Sequence, residues 1–323
     1  MDDPTQILGQ VKDALIHWGL APTSIAVASQ SENIVYKITT SEGTFAYRIH
    51  RPGYHTLDEL IAENEWTKAL SDAGFLLPAT RSTQTGEYYL PVTVNGGSRY
   101  AEIIEWLEGC SLRELGESEP AIKPILAQLT PLGAMMAKLH NHSEQWQHSA
   151  SFVRHKLDID GFFGESPFWG RYWDSPGITK DQRALLLSTQ EKIIEKLEAL
   201  GKSRDVYGMI HADLHDENVF VANNKMYLID FDDAGFGWHL YDIAVALYTH
   251  AFGDDYQTLQ AAFLKGYRQH RPLSEEHIKL IPMFLHIRTR ALIGWLTARP
   301  ELKEAARLKF LIDHACSEAD QYS

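Results

Sequence analysis

The sequence predicts an α+β chain of two lobes. Residues 1–106 form a small antiparallel β-lobe with one long internal helix, and 107–323 a larger, mainly helical lobe. Three observations predict this. Short β-rich runs alternate with turn signals between residues 34 and 106. The composition becomes helical after "WLEGCS" (106–111). A single strand-like, strongly polar stretch interrupts those helices at 207–230.

Residues 5–19 read as an amphipathic helix, with Ile7, Leu8, Val11, Leu15 and Trp18 on one side. "NIVYKITT" and "TFAYRIH" flank "SEG", a hairpin turn signal. A helix follows at about 56–73. "YYLPVTV" and "SRYAEIIEWL" are joined by Asn95-Gly96-Gly97, residues that accept the positive φ of a tight hairpin. Beyond the connector near 105–110, "PILAQLTPLGAMMAKLHNH" and "DQRALLLSTQEKIIEKLEAL" carry helical periodicity. Most of 238–320 does too, with breaks at Pro272 and Pro300.

Composition narrows the function. The 44% of hydrophobic residues supply a sizeable core, yet no run reaches the about 18 apolar residues of a membrane span. The opening "MDDPTQILGQ" is acidic and predicts no secretory signal. Two cysteines, Cys110 and Cys316, lie too far apart in sequence for a metal-ligand pattern and fit a reducing cytoplasm. A formal charge of −13 speaks against nucleic acid as a partner.

The polar stretch begins "IHADLHDENVF" (210–220). "VFVA" (219–222) and "KMYLI" (225–229) read as two strands turning at Asn223-Asn224. If 222 pairs with 225, Asn218 and Asp230 meet at the open end of the ribbon. An amide oxygen and a carboxylate there suit a hard cation such as Mg²⁺. Asp213, in the loop entering the ribbon, is placed to accept a proton from a hydroxyl beside that metal.

His-x-Asp-x-x-x-x-Asn, a hairpin, then Ile-Asp-Phe and Tyr-Asp resembles the catalytic and metal loops of the protein-kinase superfamily. The stretch "MIHADLHDENVF…MYLIDFDDAGFGWHLYDIAVALY" looks like the aminoglycoside phosphotransferase-like family. The similarity points to its stress-response Ser/Thr kinase, type II homoserine kinase and choline kinase branches. It implies a bilobal protein-kinase-like fold, ATP and Mg²⁺ as cofactors, Asp213 as catalytic base, and Asn218 and Asp230 as metal ligands. It also implies that His211 braces the loop and that Asp242 supports it. His215 and Asp216 read as solvated or substrate-facing, while Asp232 and Asp233 stay open between a metal role and a capping role.

In such a fold the turn "ASQSENIVYK" (28–37) covers the phosphates. It lacks the glycines of protein kinases, so Ser29, Ser31 and Asn33 are the candidate donors, beside an ordinary polar turn as the plain alternative. Arg48 stands where the family carries its phosphate-binding cation. Its acidic partner is Glu63, because Glu63, Trp66 and Leu70 share a helix face; Glu65 falls off that stripe. The adenine edge would meet the backbone near Glu105 and Leu107.

The expected activity is transfer of the γ-phosphoryl group of ATP to a hydroxyl, on a small molecule such as a metabolite or aminoglycoside. A protein serine or threonine is the alternative acceptor, and a nucleotide-binding pseudokinase the remaining one. The missing Ala-Pro-Glu and activation segment favour a small acceptor. "PFWGRYWDSPG" (167–177) is either an acceptor-pocket wall or an insertion packed on helices.

Overall fold

The computed structural model describes residues 3–30, 33–118, 122–223 and 225–319. They form two compact units. The first comprises Met1–Cys110, His148–Val153 and Phe220–Ile229; the second comprises Ser111–Gln147, Arg154–Val219 and Asp230–Ser323.

The first unit is built on an antiparallel sheet. α1 (Leu8–Ala14) leads through a 3-10 turn to Trp18, followed by β1 (Pro22–Gln30), β2 (Ile34–Thr40) and β3 (Gly43–Ile49). Then come α2 (Leu57–Asp72), β4 (Thr80–Arg81), β5 (Leu90–Val94) and β6 (Gly97–Glu105). The sheet order is β1-β2-β3-β6-β4, with β5 on β6. Strict alternation of buried and half-buried residues along β2 presents Ile34, Tyr36 and Ile38 to the core. There they meet Val11, Leu15 and Trp18 from the N-terminal helical turns. The Trp18 ring stands edge-on to Tyr47 at 5.9 Å, and its indole N–H donates to the Arg81 carbonyl.

β1 has no counterpart in the sequence reading. It is an edge strand whose residues are mostly exposed, so it carries no hydrophobic alternation to read. The β5–β6 turn has φ 49° at Asn95 and 80° at Gly96, the left-handed pair a two-residue hairpin needs. α2 starts in a reciprocal capping box between Thr56 and Glu59.

The second unit is mainly helical. β7 (Cys110–Ser111) crosses into α3 (Leu112–Ser118) and α4 (Lys123–Gln145); β8 (Lys156–Leu157) and α5 (Ile159–Phe163) lead to α6 (Lys180–Leu200). β9 (Tyr207–Ile210), β10 (Val219–Ala222), β11 (Lys225–Leu228) and β12 (Gly235–Trp238) follow. Finally come α7 (His239–Tyr248), α8 (Tyr256–Arg268), α9 (Glu275–Ile278), α10 (Ile281–Thr297) and α11 (Ala305–Glu318). The β10–β11 hairpin falls almost wholly in the first unit, where the Leu228 N–H donates to Leu76 O. Its turn residue Asn223 has φ 51°; Asn224 lies outside the described residues.

α4 and α8 cross closely because each supplies a glycine at the contact. A Cβ on Gly133 would meet Phe263 O at 2.0 Å, and one on Gly266 would meet Thr130 O at 1.9 Å. α7 is buried along its whole length. β12, absent from the sequence reading, pairs antiparallel with β9 and parallel with β8. Its two glycines weaken any strand signal. One of them is crowded by backbone: a Cβ on Gly235 would meet His155 O at 2.8 Å.

Candidate active site

The loop from His211 to Asn218 leaves β9 and enters β10. Its shape depends on Asp242, in the first turn of α7 and fully buried. One Asp242 oxygen accepts the His211 N–H at 3.0 Å and the other accepts the Ala212 N–H at 2.7 Å. Ala212 has φ 67°, a left-handed conformation costing an alanine about 1–2 kcal/mol. The two bonds to Asp242 hold it there.

His140 Nε2 lies 3.1 Å from Asp242 Oδ2, and His140 Nδ1 lies 2.8 Å from the Tyr267 hydroxyl. Burial pushes the His140 pKa well below its usual value, so the ring is neutral. Asp242 accepts two backbone N–H groups; the ring proton therefore sits on Nε2, and Nδ1 accepts from Tyr267. Burial pushes the Asp242 carboxyl up, against the two backbone donors. His211 is itself fully buried, with its ring tilted against Phe231 at 4.5 Å.

Asp213 therefore projects from a fixed loop. Asn218 Nδ2 donates to the Asp213 carbonyl at 2.9 Å and to Asp213 Oδ2 at 3.2 Å. His215 Nε2 is 3.4 Å from the same Oδ2, and Arg288 Nη2 on α10 donates to Oδ1 at 2.5 Å. Burial pushes the Asp213 carboxyl up, but His215 and Arg288 outweigh it and hold it well below the usual carboxylate range. His215 moves the opposite way: burial lowers its pKa, and Asp213 raises it further than that.

Because both Asn218 N–H contacts are spent on Asp213, its amide oxygen is the atom left to serve a cation. Asp230 is exposed and has φ 63°, a strained conformation for a non-glycine residue in which a carboxylate leaves the end of the hairpin. Asn218 and Asp230 together offer hard oxygen donors, which fits Mg²⁺.

The reading of one neighbouring residue changes. Asp216 is neither solvated nor open to substrate: it is buried and accepts from Thr249 Oγ1 at 2.9 Å, with His250 Nε2 at 3.2 Å. His215 is half-buried and keeps a partly open face beside Asp213. Asp232 and Asp233 belong to a tied turn. Arg154 donates to the carbonyls of Phe231, Asp232 and Ala234, and His155 Nε2 lies 2.9 Å from Asp233 O.

The aromatic run packs. Trp169, Tyr172 and Trp173 are all buried, and Tyr172 OH donates to Gln190 while accepting from Arg290. Trp169 also reaches toward the site: its Nε1–H donates to Asp233 at 3.2 Å and its ring lies 5.9 Å from the Arg288 guanidinium.

The first unit carries the other predicted residues. Arg48 on β3 is buried, and its Nη2 donates to Glu63 at 3.0 Å. Its Nε donates to Glu102 on β6 at 2.6 Å, and His50 Nε2 is 3.2 Å from that same Glu102 oxygen. Burial pushes Glu102 up, but Arg48 and His50 bring it down to about 2. Glu102 was missed in the sequence. The signal was there: it is a carboxylate in an apolar strand whose register sets it opposite Arg48. Glu65 instead accepts from Ser149, and Glu59 caps α2. Asn33 is buried and its Oδ1 accepts the Arg51 N–H. The Glu105 N–H donates to Ala79 O, while Leu107 is half-buried just beyond β6. Ser31 lies outside the described residues.

Residues 24–275 match the model of the phosphotransferase enzyme family, known as APH. The chain belongs to that family. It is 25% identical to an amicoumacin kinase of Bacillus subtilis (strain 168) over 88% of this chain and 83% of that protein. It is 30% identical to a homoserine kinase of Acidiphilium cryptum (strain JF-5), over 80% and 75% respectively. The solved structure of a microcompartment-associated aminopropanol kinase superposes with a TM-score of 0.85 at 27% identity, covering 98% of this chain and 97% of that one. The fold is thus the kinase-like fold of these enzymes, and the activity is ATP-dependent phosphoryl transfer to a small-molecule hydroxyl. Among the described residues, no helix is long and apolar enough to cross a membrane.

Proposed function

We propose that this phosphotransferase is a Mg²⁺-dependent kinase of a small amino alcohol, with Asp213 as the base. The observation that carries the reading is the pairing of Asp213 with Asn218 on a loop fixed by Asp242. Asp213 orients the acceptor hydroxyl and takes its proton as the acceptor oxygen bonds to the γ-phosphorus. The bond to the β,γ-bridging oxygen breaks, and ADP leaves with that electron pair. Such a transition state asks little of the base as a proton sink and much of it as a positioning group. A strongly acidic Asp213 is compatible with that division of labour.

Asn218 and Asp230 would hold Mg²⁺, which neutralises charge on the phosphates when bound. Arg48, kept in place by Glu63 and Glu102, would bind phosphate oxygens, with Asn33, Ser31, Glu105 and Leu107 lining the nucleotide. Two of the similar proteins are kinases of homoserine and of aminopropanol. Both acceptors carry an amine beside the hydroxyl. An ammonium group suits a chain of net charge −13.

The test is a transfer assay with γ-labelled ATP against homoserine, aminopropanol, aminoglycosides and a serine-rich protein. Label should pass to an amino alcohol, stop on chelation and return with Mg²⁺. Label on the protein acceptor alone would overturn the small-molecule reading. Transfer that survives chelation would overturn the metal assignment.

A further inference from the structure

Asp213 is held by more than its own loop, and the additional contact comes from α10. Arg288 lies 75 residues beyond Asp213 in sequence, in a helix that is otherwise largely apolar. Its side chain is 8% exposed, and its Nη2 bonds Asp213 Oδ1 at 2.5 Å. As a stability device this is a poor arrangement, because burying a guanidinium costs much of what its pairing returns.

The hydrogen bonds on Asp213 divide unequally. An ionised carboxylate has about two lone-pair positions per oxygen. On Oδ2 they are taken up by Asn218 Nδ2 at 3.2 Å and His215 Nε2 at 3.4 Å. Oδ1 receives Arg288. Oδ1 is therefore the oxygen with room for an acceptor hydroxyl, and Arg288 fixes where that oxygen stands.

Arg288 is located in turn by aromatic side chains. The Trp169 ring lies 5.9 Å from its guanidinium, and Trp169 stacks on Tyr241 at 5.9 Å and 29°. The Tyr241 hydroxyl lies against the same guanidinium. Arg288 Nε has no hydrogen-bond partner among the described residues. The guanidinium is thus tied through Nη2 to Asp213 while its neighbours shape the socket. This also gives part of the buried aromatic run a link to the chemistry that its packing alone does not explain.

We propose that Arg288 is the positioning residue of Asp213, fixing the Oδ1 that receives the acceptor proton, in a socket built by Trp169 and Tyr241. The inference rests on Asp213 being the base. In the expected outcome, Arg288→Ala lowers kcat about 10²-fold, the size of loss an ångström-scale misplacement produces. KM for ATP stays unchanged, and added methylguanidinium restores part of kcat. Arg288→Lys keeps the charge, loses the planar fork, and falls between wild type and Arg288→Ala. The assay is Mg·ATP with aminopropanol or homoserine, and ATP hydrolysis by water where neither is turned over.

Crystal structures of Arg288→Ala and Arg288→Lys supply a readout independent of any acceptor: the Asp213 carboxylate should leave its wild-type rotamer in the alanine variant. If Arg288→Ala loses only thermal stability, with kcat of the folded enzyme and the Asp213 rotamer unchanged, Arg288 is structural and the proposal is overturned. If Arg288→Ala does not fold, an Arg288→Lys enzyme with wild-type kcat and Asp213 geometry overturns it equally. Asp213→Asn separates the two levels. Full turnover by that variant removes the base assignment itself, whereas a dead Asp213→Asn beside an active Arg288→Ala removes only the role of Arg288.

Discussion

Two charge clusters in this chain are near mirror images. In the first unit one cation, Arg48, is shared between Glu63 and Glu102, with His50 on the second acid. In the second unit one acid, Asp213, is shared between Arg288 and His215. Each central group is surrounded by more opposite charge than it carries. That locks its geometry and keeps it ionised, as the roles proposed for Arg48 and Asp213 require. The difference lies in the surroundings. Arg48 joins elements of one packed sheet and helix, and all three charges are deeply buried. Asp213 keeps 22% of its side chain exposed, as its proposed contact with substrate requires. The first cluster should therefore fail mainly in stability and the second mainly in turnover.

The largest expected effect follows from breaking the second cluster at its centre. Asp213→Asn should cut kcat by about 10²–10⁴, the range for losing a general base, while nucleotide binding measured by calorimetry stays close to wild type. If turnover and stability fell together, in proportion, Asp213 would be a structural ion.

Arg48→Met should lose stability as well as its grip on phosphate. It strands Glu63 and Glu102 without their cation, and removing one partner of a buried pair costs about 3–5 kcal/mol. Urea denaturation at pH 7 measures it. The variant should regain stability as pH falls toward the carboxylate range, because the stranded acids can then take up protons. An Arg48→Met protein as stable as wild type would show that the cluster does no structural work.

How much of this was legible in the sequence depended on the distance over which each pairing acts. Asp213, Asn218 and Asp230 lie within one short window, so spacing alone grouped them. Arg48 and Glu63 were joined by helix periodicity, because a glutamate on the face of Trp66 and Leu70 needs a partner. Glu102 and Arg288 escaped. Each depends on a tertiary meeting, across a strand register or from a helix 75 residues away, that no local period encodes. Their signal was weaker but present: charges in "AEIIE" and "LHIRTRALIGW", stretches otherwise apolar enough to be buried. The strands β1 and β12 escaped for the opposite reason, since an exposed edge and a glycine pair leave no hydrophobic pattern.

Acid should sharpen the comparison. Glu102 falls from an ordinary 4.5 to about 2 in the fold, so it contributes stability above its unfolded value. That contribution is lost as pH drops from 4.5 towards 2, and amounts to on the order of 3 kcal/mol. Asp213, also held low, adds to the loss in the same direction. Urea midpoints from pH 6 down to pH 2 should show this limb, and Glu102→Gln should make it shallower. An unchanged limb in Glu102→Gln would mean that other carboxylates carry the acid sensitivity.

The smallest expected effect concerns the two acids on Arg48, which are not equivalent. Glu102 meets Arg48 Nε at 2.6 Å and also faces His50 at 3.2 Å, whereas Glu63 meets Arg48 Nη2 at 3.0 Å. The shorter bond gives Glu102 the larger share of the pairing, and leaves Glu63 as the partner that orients the guanidinium from α2. Double-mutant cycles with Arg48→Met should thus return a larger interaction energy for Glu102→Gln than for Glu63→Gln, both within about 0.5–3 kcal/mol. The functional split should run the other way. Glu63→Gln, with most of the stability retained, should raise KM for ATP by altering the orientation of Arg48. Glu102→Gln should lower the urea midpoint first. Equal coupling energies, with KM for ATP unmoved in Glu63→Gln, would reduce the pair to one undivided structural ion cluster.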